Sequence, residues 1–205
     1  MADDDTMKDY ILEVKDICKE FPGVAALKNV SIQVKRGTVH ALLGENGAGK
    51  STLIKIISGV YCQTSGQIFV NGKKTGKMTP KTAMDLKIAV IHQELNLVPQ
   101  MSVAENVFVG REITTSAGTV DYREMERRTE DILKQFHMHM DPREKVCELS
   151  IANQQIVEIA KILSLDTDLI IMDEPTDVLT DNEITQLFGI IQNLKKNEKT
   201  IIYIT

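Results

Sequence analysis

Tryptophan is absent from this 205-residue chain, and aromatic residues together make up only 4% of it. A core with so few rings must rest on aliphatic side chains, and a hydrophobic content of 42% supplies enough of them for one domain with a small lobe inserted. Cysteine is scarce as well. Cys18, Cys62 and Cys147 are odd in number and far apart, with no C-x-x-C spacing. That argues against a disulfide framework or a zinc site and fits a reducing compartment. No apolar run reaches the roughly 20 residues needed to span a bilayer, and no secretory leader opens the chain, so any membrane role is expected to pass through a partner. Positive charge is not in excess: 24 Lys and Arg stand against 29 Asp and Glu, a formal net charge of -5. This balance argues against general nucleic-acid binding. Charge is spread along the chain apart from Asp3-Asp4-Asp5, which reads as a solvated tail.

What the chain does contain is a phosphate-binding pattern. Gly44-Glu45-Asn46-Gly47-Ala48-Gly49-Lys50-Ser51-Thr52 fits G-x-x-x-x-G-K-[ST]. It follows the apolar run Val39-His40-Ala41-Leu42-Leu43, read as a buried strand, and Lys50 to Ser58 reads as the start of a helix. Glycines let the backbone curl so that successive N–H groups point at phosphate oxygens, and the helix start adds the positive end of its dipole. In such a loop Lys50 reaches the β- and γ-phosphates and the Ser51 hydroxyl binds Mg²⁺. A glycine-rich turn without ligand is the alternative.

Around this loop the sequence predicts an α/β domain. Tyr10 to Ile17, Val30 to Val34 and Gln67 to Val70 read as short strands of a small antiparallel sheet, with Asn71-Gly72 as a hairpin turn. Ile88–Ile91, Leu169–Met172 and Thr200–Ile204 are apolar on both faces, as strands of a parallel sheet between helices are. Tyr122 to Met138 carries Met125, Thr129, Ile132, Leu133 and Phe136 on one helical face, and Ile151 to Leu165 carries Ile156, Ile159, Ala160 and Leu163. Thr180 and Glu183 form a capping box before another helix. Residues from about 95 to 165 are mainly helical and are expected to form an inserted lobe.

Further candidates fall at strand and helix ends. Met172 is followed by Asp173-Glu174-Pro175-Thr176, a Walker B pattern in which Asp173 holds Mg²⁺ and Glu174 polarises the attacking water. Two adjacent acids at the end of a buried strand are costly without a cation. A surface turn is the alternative. Gln93 follows the strand Ile88–Ile91 after one residue, where it can touch Mg²⁺ or water; an exposed loop glutamine is the bland reading. Ser150, in Leu149-Ser150-Ile151-Ala152-Asn153-Gln154-Gln155, either caps a helix or offers its hydroxyl to a phosphate. His137 and His139, two apart, would sit on different sides of a helix, which disfavours a metal site. Phe21 before the loop is either core packing or a base-stacking platform.

Taken in order, these motifs resemble the ATP-binding subunit of an ABC transporter over nearly the whole chain. The likeness is strongest to the first cassette of bacterial importers of ribose, xylose or galactosides. It rests on the stretch His40–Thr52, on His92-Gln93-Glu94-Leu95, and on Leu149 to Lys161, where L-S-I-x-x-Q-Q replaces the usual L-S-G-G-Q. The resemblance implies a P-loop NTPase core with a mainly parallel sheet, a flanking antiparallel β-subdomain and an inserted helical lobe, incomplete at the C-terminus. It divides the chain into 1–94, 95–165 and 166–205. It implies Mg·ATP as ligand, Phe21 against adenine, Glu174 as catalytic base, and Gln93 as the link between nucleotide site and transmembrane subunit. By the same resemblance Ser150 binds the γ-phosphate held by a second nucleotide-binding domain, and Thr176–Leu179 is the loop that crosses the interface between the two. The implied partners are transmembrane permease subunits, that second domain and, indirectly, a periplasmic sugar-binding protein, with no nucleic acid. The implied place is the cytoplasmic face of the bacterial inner membrane. Ile151 and Ala152 stand where the family has a glycine pair, reducing backbone access to phosphate. The chain stops where the family's histidine would follow, so it is expected to bind nucleotide yet hydrolyse ATP poorly alone. The alternatives are a soluble ABC protein acting on ribosomes or DNA, and a regulatory cassette of weak activity.

Overall fold

A computed structural model describes residues 9–45, 47–175 and 180–205. Two compact units emerge. The first takes in residues up to 90 together with 168–173 and 195–205, and the second takes in 91–167 and 174–194.

The first unit holds two sheets. One is antiparallel, in the order β2-β1-β4-β5, with β1 at Tyr10–Phe21, β2 at Val24–Lys35, β4 at Ser65–Val70 and β5 at Lys73–Lys74. Strands β1 and β2 pair from Tyr10↔Lys35 to Phe21↔Val24, so Pro22-Gly23 forms their turn and both run longer than the sequence reading gave them. Register shifts punctuate the pairing, and Asp16 carries a φ of 51° at one of them. Asn71 and Gly72 both have positive φ, at 52° and 72°, as a two-residue hairpin turn between β4 and β5 requires.

The other sheet has the order β3-β8-β7-β6, with β3 at Val39–Leu42, β6 at Ile88–Ile91, β7 at Leu169–Asp173 and β8 at Thr200–Ile204. Strands β3 and β7 each pair parallel with β8. The residues of β8 and Leu169 to Met172 of β7 are all buried, as continuous apolar runs predict. Strand β3 departs from expectation. It is an edge strand among the described residues, and Ala41 is exposed rather than buried. At their starts the strands are tied by Thr200, whose hydroxyl accepts from Gly37 N at 2.9 Å. One aliphatic core joins Leu12, Val14 and Ile68 of the antiparallel sheet to Ile171, Ile202 and Ile204 of the parallel one.

Helix α1, Lys50–Ile57, buries Leu53, Ile54, Ile56 and Ile57 in that core. The short α2, Pro80–Asp85, starts at Thr79, whose side chain accepts from Thr82 N.

The second unit carries α3 (Val103–Phe108), α4 (Tyr122–Gln135), α5 (Ile151–Leu163) and α6 (Asp181–Lys196). Ser102 and Glu105 form a reciprocal capping box on α3. The fully buried Asn106 closes the preceding loop, accepting from Val98 N at 2.7 Å and donating to the Val98, Met101 and Ser102 carbonyls. Helix α4 buries Met125, Thr129 and Leu133 but ends sooner than the periodicity suggested. His137 takes a φ of 55°, and the Met138 and His137 amides bond back to Leu133 and Lys134. This is a Schellman stop, so the two histidines lie beyond the helix rather than on it. Helix α5 buries Ile156, Ile159, Ala160 and Leu163, as its periodicity predicts. No helix among the described residues is long and apolar enough to cross a membrane.

Candidate nucleotide site

In the first unit the chain leaves β3 at Leu42, passes through the glycine-rich loop and enters α1 at Lys50. Gly47 and Gly49 have φ of 86° and 92°, so the two glycines bend the loop as the motif requires. Ala48 N donates to Glu45 O at 3.1 Å, and Leu53 N donates to Gly49 O at 2.9 Å. Gly49 has no room for a side chain: a β-carbon there would lie 2.7 Å from Leu27 Cδ2 and 2.8 Å from Ala26 O. Lys50 Nζ donates to the Gly44 carbonyl, drawing the lysine across the loop. Gly44, Glu45, Gly47, Ala48 and Ser51 are exposed; Gly49, Lys50 and Thr52 are partly buried. The first turn of α1 contains no acidic residue, so nothing on the helix opposes an anion at its positive end. Asn46 lies outside the described residues, as do Thr176–Leu179 and the Asp3–Asp5 run.

Asp173 ends β7 in the same unit. Leu42 and Asp173 are both register partners of Ile204, so the loop begins at the level of that carboxylate. Two strand spacings separate them, about 10 Å.

Phe21 ends β1, partly exposed, and meets Tyr61 edge to face with ring centroids 5.4 Å apart. Lys19 Nζ lies 4.8 Å from the Phe21 ring centre, and Lys55 Nζ lies 5.5 Å from that of Tyr61. Sequence reasoning missed Tyr61, Lys19 and Lys55. The i, i+2 spacing of Lys19 and Phe21 on a strand was the one available clue to part of this group.

In the second unit, Gln93 is exposed just beyond β6. The segment after it is fastened to α5: Asn96 N donates to the buried Glu158 at 2.8 Å, and Lys161 Nζ donates to Asn96 O at 2.9 Å. Ser150 is exposed and caps α5, accepting from Asn153 N at 3.3 Å, so the capping role is realised. Ile151 beside it is 46% exposed. Glu174 is partly buried with a φ of 47°, and Pro175 after it is buried. The N–H and hydroxyl of Thr180 both donate to Glu183 at 2.9 Å, and these bonds hold the Glu183 carboxyl below its usual range. The predicted residues therefore fall into two groups: the loop, Asp173 and Phe21 in one unit, and Gln93, Ser150 and Glu174 in the other.

Residues 27–177 match the ABC transporter family. The chain belongs to that family. It is 53% identical over 196 residues to a ribose/galactose/methyl galactoside import ATP-binding protein of Pseudomonas fluorescens, covering 96% of the chain and 38% of the relative. A relative of the same name from Geobacillus kaustophilus is 52% identical over 199 residues, 97% of the chain and 40% of its own length. The chain thus spans about two fifths of these relatives. Among solved structures, a nucleotide-free ATP-binding cassette of an ABC transporter matches with a TM-score of 0.83 at 26% identity, covering 95% of this chain and 81% of that one. An ATP-binding cassette in its ADP conformation matches at 0.84 and 27%, covering 95% and 80%. A dimeric bacterial ABC transporter cassette matches at 0.77 and 26%, covering 95% and 87%. The α/β fold is that of an ABC cassette.

Proposed function

We propose that this ABC cassette binds Mg·ATP and forms part of the energy-coupling subunit of a bacterial sugar importer. The observation that carries the reading is the loop from β3 to α1. Its two left-handed glycines, its lysine drawn across it and its acid-free helix start form an anion cradle, and Asp173 ends a strand at the same level.

In this reading the amides of Gly44, Glu45, Asn46, Gly47, Ala48, Gly49, Lys50, Ser51 and Thr52 and the Lys50 ammonium hold the phosphates of ATP. A hydroxyl and a carboxylate are hard oxygen ligands suited to Mg²⁺, so Ser51 and Asp173 would hold the metal, with Gln93 taken as a further ligand from its sequence position alone. When bound, the ion neutralises charge on the β- and γ-phosphates. Glu174 orients and deprotonates the attacking water, and Phe21 stacks on adenine. Ser150, at the start of α5, contacts the γ-phosphate held by a second nucleotide-binding domain. ATP binding closes the two domains head to tail and hydrolysis opens them. Gln93 passes the change to permease subunits, placing the protein on the cytoplasmic face of the membrane, with a periplasmic sugar-binding protein as indirect partner. In the same reading, 1–94 and 166–205 form the core with its β-subdomain, and 95–165 forms the helical lobe.

Identity near 50% to named sugar-import relatives favours import over a ribosome- or DNA-acting protein or a regulatory cassette. Calorimetry tests the foundation. Mg·ATP should bind the protein, and Lys50→Ala should weaken binding at least tenfold, equivalent to about 1.4 kcal/mol. Binding that is absent, or indifferent to Lys50→Ala, refutes the reading.

A further inference from the structure

Glu174 has a left-handed backbone, with φ at 47°. For a residue with a β-carbon this conformation is strained, and the proline that follows restricts the residue before it further. Strain of this kind persists only where the surroundings hold it. The hold is one residue on: Gln155 Nε2 donates to the Pro175 carbonyl at 2.6 Å, in a buried setting. Gln155 is 7% exposed, and its Oε1 is buried without a hydrogen-bond partner among the described residues.

Gln154 fastens the opposite neighbour. Its Nε2 donates to Leu149 O at 3.1 Å and to Val146 O at 3.3 Å, closing the short 3₁₀ turn Val146–Glu148 that delivers Ser150 to the start of α5. Two consecutive glutamines near the start of one helix thus grip the segment that bears Ser150 and the segment that bears Glu174.

We propose that Gln155 is a positioning residue for hydrolysis: its amide holds the Glu174–Pro175 backbone so that the Glu174 carboxylate is aimed, and makes that aim depend on the helix turn that carries Ser150. The inference rests on Glu174 being the base.

The test measures hydrolysis and Mg·ATP affinity side by side in the whole protein that carries this chain, with the rate of Lys50→Ala subtracted as background. Gln155→Leu removes the donor and the orphaned oxygen together. Gln155→Glu keeps the size but sets an acceptor against the carbonyl. Both should lose kcat by about 10- to 100-fold, the scale of a small misplacement of a catalytic group, while Mg·ATP affinity stays near wild type and the melting temperature of Gln155→Leu moves by a few degrees at most. Near wild-type kcat in Gln155→Leu overturns the proposal. So does a parallel fall of affinity and thermal stability in both variants, which marks a purely structural bond. Should Gln155→Leu not fold, Gln155→Met and Gln155→Glu carry the same comparison. Glu174→Gln runs alongside. If it still hydrolyses ATP, the base assignment falls and the positioning role with it; if it is dead while Gln155→Leu is active, only the positioning role falls.

Discussion

Leu42 and Asp173 face the same residue, Ile204, from its two sides, one on β3 and the other on β7. Backbone register therefore sets the height of the carboxylate against the loop, and no side-chain rotamer is needed to bring them level. If Asp173 serves a magnesium ion, Asp173→Asn keeps the shape and removes the charge. Binding of ATP with Mg²⁺ should fall by about 10- to 100-fold, the usual cost of disturbing a metal site, while binding of ATP in chelator should hardly change. Equal losses with and without the metal would remove Asp173 from the metal's surroundings.

Gly49 and Gly47 both have positive φ, but only Gly49 is confined by Leu27 and Ala26. Gly47→Ala should cost about 1–2 kcal/mol, the left-handed penalty alone. Gly49→Ala adds a steric clash of about 1–3 kcal/mol and should also weaken Mg·ATP binding. Denaturant unfolding of both variants, with calorimetry, checks the order. Gly59→Ala is the control away from phosphate: its β-carbon would lie 2.2 Å from the Thr79 carbonyl carbon, so stability should drop severely while any folded fraction still binds nucleotide.

Sequence carried the loop, the hairpin at Asn71-Gly72 and the aliphatic strands because each depends on local chemistry: glycine at positive φ, or a run of side chains buried on both faces. It did not carry the edge position of β3. A short apolar run reads the same at the edge and centre of a sheet, and strand order is fixed by partners far along the chain. Tyr61 was silent for the same reason, since its meeting with Phe21 needs β1 and the end of α1 side by side. The helix stop at His137 went unread because histidine in a left-handed cap is uncommon, where glycine would have signalled it. The grip of Gln155 on Pro175 spans 20 residues and follows no short motif.

Acid should loosen α4. The Glu124 carboxylate accepts from Arg127 at 2.8 Å and from Arg128 at 2.8 Å, and these bonds, Arg127 first, lower its pKa to about 2. A depressed carboxylate contributes stability above its unfolded pKa of about 4.3 and loses it as pH falls through the folded value. Glu124→Gln should therefore be slightly less stable than wild type at pH 7, and the gap should close between about pH 4 and pH 2. Glu124 is only partly buried and both arginines are exposed, so the effect is small and shrinks with salt. Thermal melts at several pH values, at low and high salt, read it directly. A gap that widens in acid contradicts the assignment.

Phe21 offers a choice between packing and recognition that a pair of ligands can settle. Its ring meets Tyr61 but remains partly exposed, with Lys19 and Lys55 near the two rings. Stacking of a base on an aromatic side chain is worth about 1–3 kcal/mol by alanine substitution. Phe21→Ala should weaken Mg·ATP by about that much and leave inorganic tripolyphosphate, which has no base, nearly untouched. If both ligands weaken together, the ring supports the fold of β1 and the adenine platform must be sought elsewhere. Tyr61→Ala should produce the same selective loss at smaller size, because it buttresses Phe21 edge-on rather than standing in for it.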